Sequence, residues 1–239
     1  MIIIPMAGLS SRFFKQGYTK PKYQLELHGK SVFAHSVNSF KNFFNQQKIV
    51  FVIRDIFETK SFINNELLKI GVTNFEIIIL DAETRGQAET VYLACRNYKE
   101  DCPITIFNID TFRHDYDKPS FIDQCDGYLE VFEAEGEHWS FVEPLDEVNV
   151  LRTTEKERVS NLCSDGLYYF KSKNTFEQIF LDAVENDETV KGEFYVAPLY
   201  NKLIRSGGVV KYEKIDTSKI DFCGTPEEYE YLVSNISKA

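Results

Sequence analysis

The chain begins with Met1-Ile2-Ile3-Ile4-Pro5-Met6-Ala7-Gly8-Leu9-Ser10-Ser11-Arg12, and this stretch decides how the rest of it is interpreted. The apolar run predicts a buried strand, and the small residues after it predict a loop whose backbone N–H groups are open to a ligand. Residues 1–25 include four basic side chains and no acidic one, in a chain whose net charge is -10. Amides beside cations favour a bound polyphosphate, because both neutralise negative charge. The alternative is an ordinary strand-loop-helix unit with a solvated basic stretch.

The composition limits the classes of partner. The chain has 239 residues, with 37 acidic against 27 basic side chains, which argues against a general nucleic-acid surface but not against a single nucleotide. Its five cysteines form no C-x-x-C pair, so a disulfide framework or a zinc site is disfavoured and reduced thiols are expected. No stretch reads as a signal peptide or reaches the ~20 apolar residues of a membrane span. We therefore expect a cytoplasmic protein with no membrane partner.

Apolar runs alternate with amphipathic stretches in the first half of the chain. The predicted strands are 1–6, 48–54, 75–80 and 103–110, and the predicted helices are 31–42, 58–70 and 86–98. This alternation indicates a largely parallel sheet with helices on both faces.

The second half is richer in strands. Its predicted strands are 127–134, 140–144, 149–154, 162–171 and 209–215, and its predicted helices are 174–184, 195–205 and 226–236. No internal repeat or flexible linker is visible in the sequence. We expect one mixed α/β domain over 1–239, with a nucleotide-binding half at 1–115 and an acceptor-binding half at 116–239.

Three designs for binding phosphate compete for the first loop. A G-x-G-x-x-G motif is absent, because Gly8 is the one glycine in the turn, and Gly29-Lys30-Ser31 is no P-loop, because Gln24 stands at the position of that motif's first glycine. The third design is a glycine loop followed by Arg and then by a Pro-Lys pair. Residues 5–13, followed by Lys20-Pro21-Lys22, resemble this signature of the sugar-phosphate nucleotidylyltransferase (pyrophosphorylase) family, usually G-x-G-T-R and then P-K-P. Ser10 replaces the second glycine of that pattern, and Tyr23 replaces the second proline.

Further segments resemble the family's motifs in the family's order. They are Gly86-Gln87-Ala88, Phe107-Asn108-Ile109-Asp110, Glu155-Lys156, residues 164–170, Gly192-Glu193-Phe194, and Asp221-Phe222-Cys223-Gly224-Thr225-Pro226, which resembles D-x-G-T-P. The first loop is most similar to one branch of the family, the CTP:phosphoglutamine cytidylyltransferases of bacterial capsule phosphoramidate biosynthesis.

The resemblance implies a Rossmann-like fold of the GT-A type, with a mostly parallel central sheet, flanking helices and a small acceptor-side β region. It also implies a role for each matching position. The catalytic residues would be Arg12, Lys22, Asp110 and Asp221; the nucleotide-binding residues Ala7, Gly8, Leu9, Ser10, Ser11 and Gln87; and the acceptor-binding residues Glu155, Lys156, Gly166 and Glu193. Asp110 and Asp221 would hold Mg²⁺, the expected cofactor.

The residue types suit those roles. Arg12 offers two parallel hydrogen bonds to the β- and γ-phosphates, and Lys22 offers a compact charge near the α-phosphate or the acceptor phosphate. A carboxylate such as that of Asp110 holds Mg²⁺ against phosphate oxygens. Gln87 has a donor and an acceptor on one amide, which suits the edge of a pyrimidine.

The implied reaction transfers a nucleoside monophosphate from a nucleoside triphosphate, with CTP favoured, to a phosphorylated acceptor, and it releases pyrophosphate. Phosphoglutamine is the favoured acceptor, and a sugar 1-phosphate is the alternative. Two other functions stay open: a metal-dependent GT-A glycosyltransferase, whose D-x-D motif Asn108-Ile109-Asp110 imitates, and a non-catalytic nucleotide sensor. The sequence leaves open the base, the acceptor, the oligomeric state (including a homo-oligomer) and the number of metal ions.

Overall fold

Strands and helices alternate along residues 1–235, the part of the chain that the computed structural model describes. The strands are β1 (Ile2–Met6), β2 (Glu26–Leu27), β3 (Lys30–Ser31), β4 (Ile49–Ile53), β5 (Phe75–Ile79), β6 (Ile104–Phe107), β7 (Thr111–Arg113), β8 (Gly127–Glu133), β9 (Ser140–Pro144), β10 (Val150–Glu155), β11 (Leu162–Phe170), β12 (Val210–Lys214) and β13 (Ile220–Phe222). The helices are α1 (Ser11–Lys15), α2 (Val32–Asn38), α3 (Thr59–Ile70), α4 (Gln87–Cys95), α5 (Lys173–Glu185), α6 (Tyr200–Arg205) and α7 (Pro226–Ser234).

Each strand and helix that the sequence predicts has a counterpart, and the differences lie at the ends. The strand expected at 103–110 ends at Phe107, so Asp110 lies in a turn before β7 and not at the end of β6. The helix expected at 195–205 begins as a 3-10 turn, Ala197–Leu199, which leads into α6. The expected last residue of the final helix, Ile236, lies outside the described residues.

Contacts divide the chain into two compact units, each built from segments that alternate along the sequence. The first unit contains Met1–Ile3, Thr84–Phe107 and Lys118–Thr217. The second unit contains Ile4–Glu83, Asn108–Asp117 and the segment that begins at Ser218. A single domain over 1–239, with functional halves at 1–115 and 116–239, stays a prediction.

The first unit contains a mixed sheet in the order β10-β9-β11-β6, which Ile2 and Ile3 at the start of β1 continue, with β8 paired to both β11 and β12. β1 and β6 are parallel, with Ile2 opposite Thr105, whereas β11 is antiparallel to β6 and β8. The register between β11 and β8 shifts between Ser164 and Tyr168, and Gly166 lies in this bulge with φ 93°. The bulge bends β11 at the position predicted to meet the acceptor.

Side chains cover the sheet of the first unit and close its edge. The ring of Tyr200 stacks on Phe170 with centroids 4.5 Å apart, and its hydroxyl donates to backbone carbonyls of β8 and β11. At the end of the sheet, the Asn201 amide accepts from the Thr153 N–H at 2.9 Å and donates to the Thr153 carbonyl at 2.8 Å. A side chain of α6 thus occupies backbone groups that a further strand would otherwise bond.

In the second unit, β4 and β5 are parallel neighbours, and all five residues of β4 are buried. A strand buried on both faces is typical of a parallel sheet covered by helices. Ser31 caps α2 by accepting from the Ala34 N–H, and Thr225 and Glu228 form a capping box at the start of α7. The predicted fold class, a mixed α/β fold with a mostly parallel sheet and flanking helices, is confirmed.

The short strands β7 and β13 form an antiparallel pair in the second unit. Phe112 of β7 and Cys223, which directly follows β13, are buried in one apolar cluster with Leu27, Val32 and Leu232. This cluster anchors the segments that carry Asp110 and Asp221. None of the helices in the described part of the chain is both long and apolar enough to cross a lipid bilayer.

Candidate active site

An ion pair between Lys22 and Asp110 lies at the centre of the candidate site in the second unit. Lys22 Nζ donates to Asp110 Oδ2 at 2.5 Å, and the two side chains are 21% and 23% exposed. A pair that is only partly exposed is less screened by solvent than a surface pair. The structure thus brings together two of the four residues predicted to be catalytic, although 88 positions separate them.

Local backbone structure places Lys22. Buried Pro21 is extended, and Lys22 begins the 3-10 turn Lys22–Gln24, in which the Gln24 N–H donates to the Pro21 carbonyl. The hydroxyl of buried Tyr23 is hydrogen-bonded to Thr59 Oγ1 at 2.7 Å, which fixes the turn from beneath.

Asp110 is held by the segment that follows β13. The Cys223 N–H donates to the Asp110 carbonyl at 2.7 Å. A Cβ atom on Gly224 would lie 2.9 Å from Asp110 Oδ2, so glycine at this position leaves the room that the carboxylate uses. Glu228 Oε2 accepts from the Gly224 and Thr225 N–H groups and fixes this backbone.

Asp221 has a different partner from Asp110. It lies opposite Phe112 in the β7–β13 ladder, and its Oδ2 is 2.7 Å from His114 Nε2. Two residues separate Asp221 from Gly224, whereas the family's D-x-G-T-P has one. Because neighbouring strand residues point to opposite faces, a shift of one position changes what an aspartate meets. A metal-binding role for Asp221 stays a prediction.

The rest of the first loop is open to solvent. Ala7 is buried, whereas Gly8, Leu9, Ser11 and Arg12 are exposed. The pKa of Glu227 is lowered, chiefly by hydrogen bonds from its own backbone, Gln16 and Thr225. The positive charge of Arg12 makes a smaller contribution in the same direction. Arg12 is thus placed as an unburied cation on α1, and its contact with phosphate stays a prediction.

Two predicted binding segments meet in the first unit. Gly86 has φ 121° and ψ 179°, and the Ala88 N–H donates to the Phe194 carbonyl at 3.0 Å. A Cβ atom on Gly86 would lie 2.6 Å from that same carbonyl oxygen. The backbone therefore joins the segment of Gln87, predicted to bind the base, to the segment of Glu193, predicted to bind the acceptor.

Glu155 and Lys156 lie in a network of polar groups in the first unit. Glu155 is 8% exposed, and its Oε2 accepts from Ser140 Oγ, which lies 3.3 Å from the Tyr168 hydroxyl. Burial raises the pKa of Glu155, and the hydrogen bond from Ser140 and the charge of Lys156 offset only part of that rise. A carboxyl of this kind is shielded from water and oriented by its neighbours.

Lys156 faces an aromatic ring. Its Nζ lies 4.2 Å from the centroid of the Tyr195 ring and donates to the Tyr195 hydroxyl. Burial lowers its pKa, but the bond to Tyr195 and the charge of Glu155 outweigh burial, so the net pKa is raised and the ammonium form is favoured. A cavity of about 430 Å³ lies beside β10, and Glu155 is among the residues that line it. This volume suits a small ligand.

Sequence reasoning missed the partners that orient these groups. They are Ser140, Tyr168 and Tyr195 in the first unit, and Glu228 with His114 in the second. Each lies far in sequence from the group it contacts or belongs to a segment without a motif. Only the S/T-x-x-E spacing of Thr225 and Glu228, a capping-box signature, was readable in advance.

The solved structure of a nucleoside-diphosphate-sugar pyrophosphorylase from Vibrio cholerae RC9 is similar to this chain over nearly its whole length. The sequences are 43% identical, the match covers 98% of this chain and 100% of that chain, and the TM-score is 0.94. The chain belongs to the nucleoside-diphosphate-sugar pyrophosphorylase family. This is the family that the first loop and the later motifs resemble.

More distant solved structures share the fold of this pyrophosphorylase family member. The inositol-1-phosphate CTP transferase from T. maritima is 15% identical over 100% of this chain and 96% of that chain, with a TM-score of 0.74. A UDP-glucose pyrophosphorylase complexed with UDP-glucose is 17% identical over 98% of this chain and 96% of that chain, with a TM-score of 0.71. No protein-family model and no curated protein matches the chain. The resemblance to phosphoglutamine cytidylyltransferases stays a prediction.

We expect Gly86→Ala to destabilise the protein by about 2–4 kcal/mol, because the new Cβ atom would overlap the Phe194 backbone in a conformation that only glycine adopts readily. Gly192→Ala is the matched control: Gly192 also has positive φ, 82°, but a Cβ atom there would meet nothing within 4 Å. Urea unfolding of both variants measures the difference. Equal losses would show that the contact with Phe194 contributes nothing beyond backbone strain.

We expect Glu155→Gln to change how stability depends on pH. The raised pKa of Glu155 means that the folded protein binds this proton more tightly than the unfolded chain. The free energy of unfolding of the wild type should therefore fall, relative to the variant, as pH rises from 4 through the ordinary glutamate range to 7. Urea unfolding at four pH values tests this, with exposed Glu157→Gln as control. Parallel profiles for the wild type and Glu155→Gln would contradict it.

Proposed function

We propose that this protein transfers a nucleoside monophosphate from a nucleoside triphosphate to a phosphorylated small molecule and releases pyrophosphate. The observation that carries the proposal is the ion pair between Asp110 and Lys22, the last residue of the Lys20-Pro21-Lys22 motif. Membership of the pyrophosphorylase family, at 43% identity over 98% of the chain, supports it.

The reaction brings two anions together, so positioning and charge neutralisation supply most of the catalysis. An acceptor phosphate oxygen attacks the α-phosphorus, the bond to the β-phosphate oxygen breaks, and pyrophosphate leaves. Lys22 neutralises charge at the α-phosphate, and exposed Arg12 forms paired hydrogen bonds with the departing pyrophosphate. Gln87 contacts the base, whereas Glu155, Lys156, Gly166 and Glu193 contact the acceptor.

The residues around Asp110 fit a magnesium ion. Mg²⁺ takes one or two carboxylates, and waters and substrate phosphates complete its six ligands. Because no group of three or more His, Cys, Asp or Glu side chains among residues 1–235 could hold a metal ion by itself, substrate phosphates and waters would have to supply the other ligands. Lys22 bonds Oδ2 of the Asp110 carboxylate, and in this proposal Oδ1 would face the ion. Bound Mg²⁺ would withdraw negative charge from the phosphates, with Asp110 and Asp221 as its protein ligands.

For the finer specificity, we propose CTP as the nucleotide and phosphoglutamine as the acceptor, in the modification of a bacterial capsule. The form of the first loop and of Lys20-Pro21-Lys22-Tyr23 supports this branch. A sugar 1-phosphate is the second candidate acceptor, and the similarity to the Vibrio cholerae nucleoside-diphosphate-sugar pyrophosphorylase favours it. We also propose the cytoplasm as its location, because all five cysteines are free thiols.

Purified protein with Mg²⁺ should release pyrophosphate from one pair of substrates. The screen combines CTP, UTP, dTTP and ATP with phosphoglutamine and with several sugar 1-phosphates, and we expect the highest rate with CTP and phosphoglutamine. Turnover only with a sugar 1-phosphate would support the second candidate. Release of a nucleoside diphosphate from an activated sugar would indicate a glycosyltransferase, and binding of nucleotide without turnover would indicate a sensor.

Replacing each proposed metal ligand tests the cofactor assignment. We expect Asp110→Asn to lower the rate about 100-fold and to raise the Mg²⁺ concentration needed for half-maximal rate, because a neutral amide binds the ion weakly. Asp221→Asn should raise the same concentration. Asp115→Asn is the control, since exposed Asp115 pairs with Lys41 on the surface. An unchanged Mg²⁺ requirement in either variant would remove that aspartate from the metal site.

A further inference from the structure

Ser10 has a backbone conformation that most side chains avoid. Its φ is 52° and its ψ is 33°, in the left-handed region. Glycine adopts this region freely, and the family's signature has glycine at this position. A serine there therefore carries a modest backbone strain that glycine would not have.

The hydroxyl of Ser10 bonds a distant segment and not its own helix. Ser10 directly precedes α1, yet its side chain makes no capping hydrogen bond to that helix. Instead, Ser10 Oγ accepts from the backbone N–H of Lys22 at 3.2 Å, twelve positions along the chain. This contact is partly buried, so water competes with it less than at an exposed surface.

The N–H of Lys22 needs an acceptor from elsewhere. Lys22 is the first residue of a 3-10 turn, and N–H groups in the first turn of a helix have no partner within it. Ser10 Oγ supplies that partner and thereby fixes the Lys22 backbone against the first loop. From this position the Lys22 side chain reaches Asp110 Oδ2 at 2.5 Å.

We propose that Ser10 is a positioning residue, whose hydroxyl holds Lys22 where its ammonium group can neutralise the reacting phosphate. The inference rests on the proposed function, because Lys22 acts there as the cation of the reaction. The proposal gives a reason for serine in place of the usual glycine at position 10: its hydroxyl adds a hydrogen bond between the first loop and the turn of Lys22.

Three single variants separate this role from general stabilisation. Ser10→Gly removes the hydroxyl and relieves the strain, whereas Ser10→Ala removes the hydroxyl and keeps the strain. Glu58→Gly is the control for strain: exposed Glu58 also precedes a helix, with φ 53° and no side-chain capping bond, so the variant relieves strain without removing a capping hydrogen bond. We expect both Ser10 variants to lose about tenfold in kcat, with KM for the nucleotide within about twofold, and Glu58→Gly to keep wild-type kinetics.

Thermal unfolding distinguishes the two effects. Ser10→Gly should unfold at a higher temperature than Ser10→Ala while sharing its kcat, because strain affects stability and the missing hydroxyl affects the rate. If kcat instead followed the unfolding temperature through all three variants, Ser10 would be only structural.

A double-mutant cycle with Lys22→Ala tests whether Ser10 acts through Lys22. In the Lys22→Ala background, Ser10→Gly should change kcat by less than about twofold, because nothing is left to position. A full tenfold loss in that background would overturn the inference.

The side-chain resonance of Lys22 Nζ gives a readout that does not depend on turnover. We expect Ser10→Gly to shift and broaden this resonance in nuclear magnetic resonance spectra of the substrate-free protein, whereas Glu58→Gly should leave it unchanged. A resonance identical to wild type in Ser10→Gly would overturn the inference even if the protein had no transferase activity. Absence of pyrophosphate release by the wild type, with a shifted resonance, would instead contradict the proposed function alone.

Discussion

The attraction between one ammonium group and one carboxylate organises the second unit around its proposed chemistry. Lys22 and Asp110 are each about four-fifths covered, so each charge has lost much of its water and depends on the other for compensation. Separate pieces of local structure serve this pair: a 3-10 turn for the lysine, and a backbone bond from Cys223 for the aspartate. An apolar cluster beneath fixes the second of these supports.

The elements of the fold that the sequence predicted well are those whose pattern is long. β4 is a run of five buried apolar residues, four of them β-branched, and α3 has helical spacing over 12 residues, so composition identifies the strand and periodicity identifies the helix. β7 and β13 are only three residues each, too short to show a period of two. Asp110 was expected at the end of a strand because only three residues separate β6 from β7, so the two short strands look like one run in the sequence.

The candidate site divides in the same way. Residue types and motif order identified Lys22 and Asp110 as members of one site. The family's motifs mark residues that lie close together in the folded protein although they are far apart in sequence. The sequence could not predict the hydrogen-bond partners that the register of paired strands brings together. His114 meets Asp221 through the β7–β13 ladder, and Ser140 meets Glu155 across β9 and β10. The charged run at 155–158 is typical of a solvated hairpin end, yet the carboxyl of Glu155 is buried, since its neighbours on other strands cover it.

The amide of Asn201 on the outer edge of β10 bears on how this protein behaves when crowded. An exposed strand edge is a template on which another chain can add a strand, and such addition is a route to fibrils and precipitates. By bonding both the N–H and the carbonyl of Thr153, the asparagine imitates a neighbouring strand for one residue and then stops, because a side chain cannot propagate a ladder. The Asn201 side chain thus blocks the edge of β10 at Thr153. In concentrated solution, the protein should therefore resist self-association through strand addition at this position.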